Sequence, residues 1–467
     1  MISLALAEVA SVLGGSLVLA PGTTAETTVS GSVQTDSRLV EPGSIFFALP
    51  GEHTDGALFA AAAVDAGAAL VVTERELELG APQIVVTDGV VALADLAREV
   101  VARVRALGRL RVAAVTGSNG KTTTKNLLRA VLEAEGATVA PQGSFNNHVG
   151  APVSMLGVDE RTRYLVVEMG ASHAGEIARL IRIVTPDVGI VLKVGLAHAG
   201  EFGGVDAVQR AKAEMVTDLP ASAVAVLNRD DSRVAAMAAQ TAARVVWFGT
   251  TRDADLRADE VVATATGTAF TLVADGQRFP VRLRILGEHH VFNALAALAT
   301  AREFGIPLER AVAAIETVPR AERWRMEVLP RPDGIVVIND AYNASPDSTA
   351  AAMKTLAQIA EPGQRTVAVL GEMAELGEFA DEEHDRLGRL AVRLNIGKLV
   401  VVGERARHIH LAAGLEGSWD GESVLVPDVD AAYDLLREEL RPGDVVLVKS
   451  SKSAGLRFLG DRLGGAE

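Results

Sequence analysis

From residue 110 onward the chain repeats one unit: a short apolar run, a glycine-bearing turn, then a helix-length segment. The runs 111–115, 164–168, 188–194, 223–227 and 245–248 are largely apolar along their whole length, and a strand hides both its faces in a parallel sheet covered by helices on each side. The rhythm therefore predicts a doubly wound central sheet. Between 270 and 283 it changes to a hairpin around Asp275-Gly276, a dipeptide that accepts the positive φ angles of a two-residue turn. A helix over 290–304 follows. Pro319 and several charges then interrupt the pattern, after which runs 335–338, 366–370, 399–402, 424–426 and 445–448 alternate with helical segments as a second, Rossmann-like unit. The stretch before 107 has short runs at 28–35, 44–49, 69–73 and 83–87, a Glu41-Pro42-Gly43 turn, and helices expected over 57–66 and 91–107. The expected fold is α/β in three domains: a small N-terminal α/β domain over 1–107, a doubly wound parallel domain over 108–318, and a Rossmann-like domain over 319–467.

Of 467 residues, 49% are hydrophobic and 22% charged, which excludes a disordered chain and the long apolar spans of a membrane protein. The apolar opening segment 1–20 lacks a basic start and carries Glu8, so it is expected to be an amphipathic helix, not a secretory leader. With no cysteine there is no disulfide, thiolate metal site or cysteine nucleophile, which fits a cytoplasmic location. Lys and Arg total 45 against 60 Asp and Glu, a net charge of −15 that is poorly matched to nucleic acid. No nucleic-acid partner and no membrane insertion are expected, and a monomer is. Any polyanionic ligand must then meet a local positive site. Lysine occurs only at Lys121, Lys125, Lys193, Lys212, Lys354, Lys398, Lys449 and Lys452. Where any cation would serve, this chain uses arginine, so a retained lysine hints at a compact phosphate-binding charge or a reactive amine.

The segment Thr116-Gly117-Ser118-Asn119-Gly120-Lys121-Thr122-Thr123 follows the run 112–115 and precedes a helix with Leu127, Leu128, Val131 and Leu132 as its apolar stripe. Strand, glycine turn and helix in that order read as a phosphate-binding loop, which makes the central domain P-loop ATPase-like. The glycines let consecutive amides turn inward, the helix start adds its positive end, and Lys121 supplies a mobile charge. The spacing departs from G-x-x-x-x-G-K-[ST], because Val115 stands at the first glycine position and Gly117 is the first glycine present. Thr122 is expected to place its hydroxyl on Mg²⁺. That ion prefers hard oxygen ligands, and Glu168, ending the run 164–168, would emerge at the sheet edge where α/β folds bind ligands. His173 and His198, on loops after consecutive strands, are further candidates to face the site.

More segments accumulate on this frame: Phe145-Asn146-Asn147-His148-Val149-Gly150, Glu168-Met169-Gly170-Ala171, Ala197-His198, Ala211-Lys212-Ala213-Glu214 and 287–293. They continue with Asp340-Ala341-Tyr342-Asn343, Gly371-Glu372-Met373-Ala374-Glu375-Leu376-Gly377 and Val448-Lys449-Ser450-Ser451-Lys452. With the phosphate loop, they make the chain resemble the Mur ligases along essentially its whole length. Stretches 340–343 and 371–377 resemble the member of that family that adds D-alanyl-D-alanine.

The resemblance implies ATP-dependent ligation of D-alanyl-D-alanine to UDP-N-acetylmuramoyl-tripeptide, through an acyl phosphate, in peptidoglycan precursor synthesis. It implies that Asp36, Ser37 and Arg38 receive the uridine nucleotide in the N-terminal domain and that Asn146 and Asn147 face the muramoyl end. It further implies that Asn293 reads the adenine with His289 nearby, that Arg325 and Asp340 close on the nucleotide, and that Tyr342, Asn343, Lys449 and Ser450 contact substrate. Lys212 is implied to carry a carbamate, a CO₂ adduct that turns a cation into a carboxylate-like ligand for a second Mg²⁺ shared with His198. Catalysis would then rest on Lys121, Glu168, Lys212 and His198. Because Arg325, Asp340 and Lys449 are far in sequence from the phosphate loop, the C-terminal domain is expected to swing in on ATP. His290 and Lys193 depart from the family pattern, each standing where asparagine is common. The rival readings are a sister ligase adding a free amino acid, a folylpolyglutamate synthase, and a nucleotide-sensing module without catalysis.

Overall fold

The computed structural model describes the whole chain except residues 52–53, 142, 197–198, 320–321, 418 and 467. The small N-terminal sheet orders Ser16–Val18, Gln83–Val85, Leu70–Thr73, Ile45–Phe47 and Val33–Gln34, and only its first pair is antiparallel. The run expected as one strand over 28–35 is two: Thr28–Val29 pairs with Leu4–Ala5 in a separate ribbon, while Val33–Gln34 joins the main sheet. Gly31 lies between them, where the turn at Gly43 passes so close that a Cβ would meet its carbonyl oxygen at 2.0 Å. Helix Gly89–Ala106, capped by Asp88, packs on Leu6–Leu13 and on the central helices Gly150–Met155 and Glu176–Val184. One apolar core consequently runs from Leu4 and Ile45 through Leu96 and Val100 to Leu165 and Ile177.

In the central domain β1 (Arg111–Thr116) enters the phosphate loop and α1 (Lys121–Glu133), followed by β2 (Tyr164–Glu168), β3 (Val188–Val191) and α2 (Val205–Thr217). β1 lies between β2 and β3 and is parallel to both. Strand order reverses there, and doubly wound sheets open a crevice at such a point. Among the described residues the sheet has nine strands, and beyond β3 it continues through Val224–Asn228 and Arg244–Gly249 into an antiparallel meander. The Asp275-Gly276 turn forms, with φ of 51° and 76°. The meander's first strand, Leu256–Thr264, was not expected, because charge masks it: Arg257 pairs with Asp259 at 2.7 Å, and Arg278 reaches Glu260 at 3.2 Å across the sheet. The run expected to 194 leaves the sheet at Val191. Its continuation lines the phosphate loop instead, the Leu192 amide donating to the Thr116 carbonyl (3.1 Å) and the Ser118 amide to that of Lys193 (2.8 Å). α3 (His289–Glu303) then packs against α1.

The C-terminal domain opens with an unexpected edge hairpin, β4 (Glu327–Pro330) antiparallel to β5 (Val336–Asn339). A proline at the edge of a sheet gives up no ladder hydrogen bond. α4 (Pro346–Ile359), β6 (Val445–Lys449) and α5 (Leu456–Gly464) complete the elements that reach the site. Among the described residues, six strands run β4, β5, β6, Thr366–Leu370, Lys398–Val402, Glu422–Val426, all parallel after β4.

Candidate active site

The phosphate loop is shaped by Gly120, which sits at φ 87° directly before α1. A Cβ at Gly120 would lie 2.3 Å from Oδ1 of Asn293 on α3, so glycine is required both by the backbone and by its neighbour. Thr116 donates its hydroxyl to the Met169 carbonyl at 2.7 Å, tying the ends of β1 and β2 together. Lys121 Nζ donates to the Gly117 carbonyl at 2.7 Å. Thr122 donates Oγ1–H to Oε2 of Glu168 at 3.0 Å and lies 3.0 Å from the Ser144 hydroxyl. The other Glu168 oxygen accepts from Asn146 Nδ2 at 2.8 Å. A hydroxyl and a carboxylate at the mouth of a phosphate loop are the hard, sparse donor set that suits Mg²⁺, which fills its remaining positions with phosphate oxygens and water. Among the described residues no cluster of three or more His, Cys, Asp and Glu offers an alternative.

The C-terminal domain faces this loop across a cavity of about 270 Å³, and Asn343, Ser345 and Met326 line it from that side. Arg325 donates to the Ser144 hydroxyl at 3.0 Å, and its guanidinium stands 4.2 Å from the Tyr342 ring centroid. Asp340 accepts from the Met326 amide (3.0 Å) and from Lys449 Nζ (2.6 Å), and Lys449 also donates to the Asn343 carbonyl (3.0 Å). Lys449 thus spends its donors holding this corner of the cavity. Cross-domain contacts include Ser345 Oγ on Asn119 Oδ1 (3.1 Å), Lys193 on Asp347 (3.0 Å), Glu322 accepting from the Gly143 amide (3.3 Å), and the Gly200 amide on the Glu375 carbonyl (3.1 Å). In the linker Trp324 and Met326 occupy left-handed backbone at φ 62° and 50°. Two non-glycine residues in that region cost about 1–3 kcal/mol each, offset by the Trp324 indole N–H donating to Asp461 at 2.9 Å.

Burial dominates the electrostatics. It lowers Lys121 from its ordinary value, partly opposed by Glu168. Lys212 on α2, with its side chain buried, is brought down to about 7 by burial and by the neighbouring Lys121 charge. Its Nζ stands 6.0 Å from the Phe202 ring centroid. His289 is lowered to about 4 and His290 well below its usual range, both chiefly by burial. Both imidazoles are therefore neutral near pH 7, and His290 Nδ1 lies 3.1 Å from Asn293 Nδ2.

Ser118, Asn119, Gly120, Lys121, Thr122, Thr123, Asn146, Glu168, Asn293, Arg325, Asp340, Tyr342, Asn343 and Lys449 converge on the cavity. The others lie elsewhere. Thr116 and Gly117 sit behind the loop, Asn147 caps the helix Gly150–Met155 through the Gly150 amide (2.7 Å), and Ser450 is buried with its hydroxyl on the Ser451 carbonyl (3.0 Å). Asp36 caps the short helix Ser37–Leu39 on the N-terminal domain, where hydrogen bonds from Arg38 hold its carboxyl at about 2. His173 is exposed, with its amide on Glu176. His198 lies outside the described residues. Ser144 and Ser345 line the cavity without having been singled out from the sequence. Ser144 stood two residues before the noted Asn146, and Ser345 has the position of an N-cap before Pro346, so local signals were present for both. A neighbouring cavity of about 240 Å³ is lined by Leu192, Phe292, Asn228, Asp231, His289 and Asn293, apolar faces with a polar rim.

Three family models match this chain: the Mur ligase family catalytic domain over 31–112, the Mur ligase middle domain over 115–301, and the Mur ligase glutamate ligase domain over 324–452. The UDP-N-acetylmuramoyl-tripeptide–D-alanyl-D-alanine ligase of Mycobacterium tuberculosis is 46% identical, over 99% of this chain and 98% of its own. That of Escherichia coli is 32% identical over 98% and 97%. A crystal structure of MurF from Acinetobacter baumannii superposes with a TM-score of 0.87 at 30% identity, covering 99% of both chains. The MurF ligase of Thermotoga maritima, solved in complex with ADP, gives 0.80 at 26% identity over 94% of this chain and 98% of its own. By full-length identity, domain order and fold alike, the chain belongs to the Mur ligase family.

Proposed function

We propose that this protein ligates D-alanyl-D-alanine to UDP-N-acetylmuramoyl-tripeptide with cleavage of ATP to ADP and phosphate, in peptidoglycan synthesis. The observation that carries the reading is the Thr122–Glu168 contact at 3.0 Å on a phosphate loop that directly faces Arg325, Asp340 and Asn343 of the last domain. The division at 107/108 and 318/319 belongs to the same proposal, with the uridine nucleotide on Asp36, Ser37 and Arg38.

A carboxylate and an ammonium form a salt, not an amide, so the acid oxygen must first become a leaving group. The tripeptide carboxylate attacks the γ-phosphorus, the bond from that phosphorus to the β-phosphate oxygen breaks, and ADP leaves. The dipeptide ammonium gives up one proton to become an amine and attacks the acyl phosphate carbonyl; the carbon–oxygen bond to phosphate breaks, and the second nitrogen proton ends on the departing phosphate. Loop amides and Lys121 hold the transferred phosphoryl group, and Arg325, oriented by Ser144 and Tyr342, adds charge from the opposite side. The purine is assigned to the cavity between Leu192 and Phe292, with Asn293 and neutral His289 on its polar rim. Thr122 and Glu168 would hold one Mg²⁺, and Lys212 as its carbamate, with His198, a second; bound there the ions neutralise phosphate charge. Burial supports the carbamate, because an amine held at about 7 is substantially uncharged at neutral pH and so able to add CO₂.

Incubating the protein with ATP, Mg²⁺, UDP-N-acetylmuramoyl-tripeptide and D-alanyl-D-alanine should yield the UDP-linked pentapeptide by mass. Nucleotide hydrolysis without that product, or coupling of free amino acids in place of the dipeptide, would assign the chain to one of the rival activities.

A further inference from the structure

α5 packs on β5 and buries Leu456, Leu459 and Leu463 in the core of the last domain. The same helix also buries a carboxylate, Asp461, 7% exposed, which the ligation chemistry leaves unused. A buried carboxylate is costly unless donors satisfy it, and Asp461 is met by donors from three residues. Its Oδ1 accepts from Asn339 Nδ2 (3.0 Å), its Oδ2 from Arg323 Nη2 (2.9 Å), and the Trp324 indole N–H is shared between the two oxygens (3.0 and 2.9 Å). Asn339 is fully buried and also donates to the Arg457 carbonyl (2.8 Å). The helix is notched to admit it: a Cβ on Gly460 would collide with the Asn339 side-chain amide.

Each of these donors stands beside a residue of the reaction cavity. Arg323 and Trp324 directly precede Arg325, and Asn339 directly precedes Asp340; Arg325 and Asp340 line the cavity. Arg325 does little to hold itself there. Among the described residues its guanidinium makes one hydrogen bond, to Ser144, and its buried Nε–H has no acceptor. Its backbone neighbours Trp324 and Met326 are both left-handed, a conformation that non-glycine residues keep only where the surrounding structure enforces it. The Trp324 carbonyl accepts from the Tyr342 amide (3.1 Å) and the Met326 amide donates to Asp340 (3.0 Å), which stitches the linker to the end of β5. Asp461 grips both sides of that stitch.

We propose that Asp461 is a positioning residue for the reaction: by holding Trp324 and Asn339 together it keeps the linker in its left-handed turn and presents the Arg325 guanidinium to the terminal phosphate of ATP. The inference rests on the ligase reading for what Arg325 does, and adds the group that sets where Arg325 stands. Asparagine at this position would turn an N–H₂ group toward three donors, so a change that barely alters volume frees the linker. Arg325 then loses its aim while the nucleotide keeps its contacts with the phosphate loop.

The test compares affinities for ADP and for the β,γ-imido analogue of ATP, measured by calorimetry with Mg²⁺, because only the analogue carries the phosphate that Arg325 meets. Asp461→Asn should lower the ratio of analogue to ADP affinity by about tenfold, as expected for a misplaced charge-assisted hydrogen bond. It should lower kcat for pentapeptide by about 10–100-fold, with KM for UDP-N-acetylmuramoyl-tripeptide unchanged. In an Arg325→Ala background the same substitution should leave the affinity ratio as it is, since residues that act through one group are not additive. If Asp461→Asn does not fold, Trp324→Phe, which removes the indole N–H and leaves Asp461 its other donors, carries the same comparison. A ratio that stays at the wild-type value, or falls equally with and without Arg325, overturns the positioning role. Wild-type enzyme that makes no pentapeptide overturns the ligase reading, and the nucleotide ratios still judge Asp461.

Discussion

Lys212 sits at the meeting point of packing and chemistry: the same burial that makes a charged lysine expensive makes the amine reactive. With the folded value at about 7, the amine is largely neutral above that pH and an ammonium below it. Ligation at fixed dissolved CO₂ should therefore fall by up to about tenfold per unit as pH drops below 7, measured as initial pentapeptide formation. The sign for stability is the corresponding one. An unfolded lysine titrates near 10.5, so in the CO₂-free enzyme the penalty is fully present below 7 and is relieved as pH rises toward 10.5. The difference in melting temperature between wild type and Lys212→Met should narrow over that interval. Lys212→Ala should be inactive yet partly restored by short carboxylic acids; full activity without them would discard the carbamate. At Lys121 the outcome is simpler: Lys121→Ala should lower kcat by at least about 10²–10³-fold while leaving the melting temperature nearly unchanged.

At the scale of elements, the phosphate loop works because a strand, a turn and a helix are each locally determined. Gly120→Ala tests that, since it adds a Cβ at left-handed backbone and 2.3 Å from Asn293 Oδ1. The expected cost is about 1–2 kcal/mol of backbone strain and a larger loss in nucleotide affinity, read as a reduced ADP-induced rise in melting temperature. The same locality explains what the sequence revealed. β1, α1 and the placement of Glu168 at the end of β2 follow from hydrophobic pattern and turn chemistry within a few residues. Leu256–Thr264 did not, because paired charges on a solvent-facing meander look like a loop until the partner strand is known. The family likeness, not any spacing, pointed to Lys212, while Ser144 and Ser345 had only local signals, a place beside Asn146 and an N-cap position before Pro346.

The whole molecule is held in its present arrangement by contacts between groups far apart in sequence: Ser345 with Asn119 over 226 positions, and Lys193 with Asp347 over 154. No local pattern encodes such pairs, which is why the last domain's approach was expected only from likeness, and its contacts not at all. Lys193 makes one of them an ion pair, with side chains 45% and 28% exposed. A pair so exposed contributes about 0.2–1 kcal/mol and weakens with salt. Asp347→Asn should accordingly shift the balance toward an extended shape by up to about fivefold, seen as a larger radius of gyration by small-angle scattering and a smaller dependence on NaCl. Scattering profiles of free and fully liganded enzyme that superimpose would remove the idea that the last domain moves at all.

Trp324 lies where such a movement would pivot, its indole bonded to Asp461 and flanked by Arg323, Arg457 and Phe458. The chain has three tryptophans, and replacing Trp247 and Trp419 by phenylalanine would leave one chromophore in that cationic setting. Its emission would give a label-free stopped-flow record of how fast the linker rearranges after mixing with nucleotide.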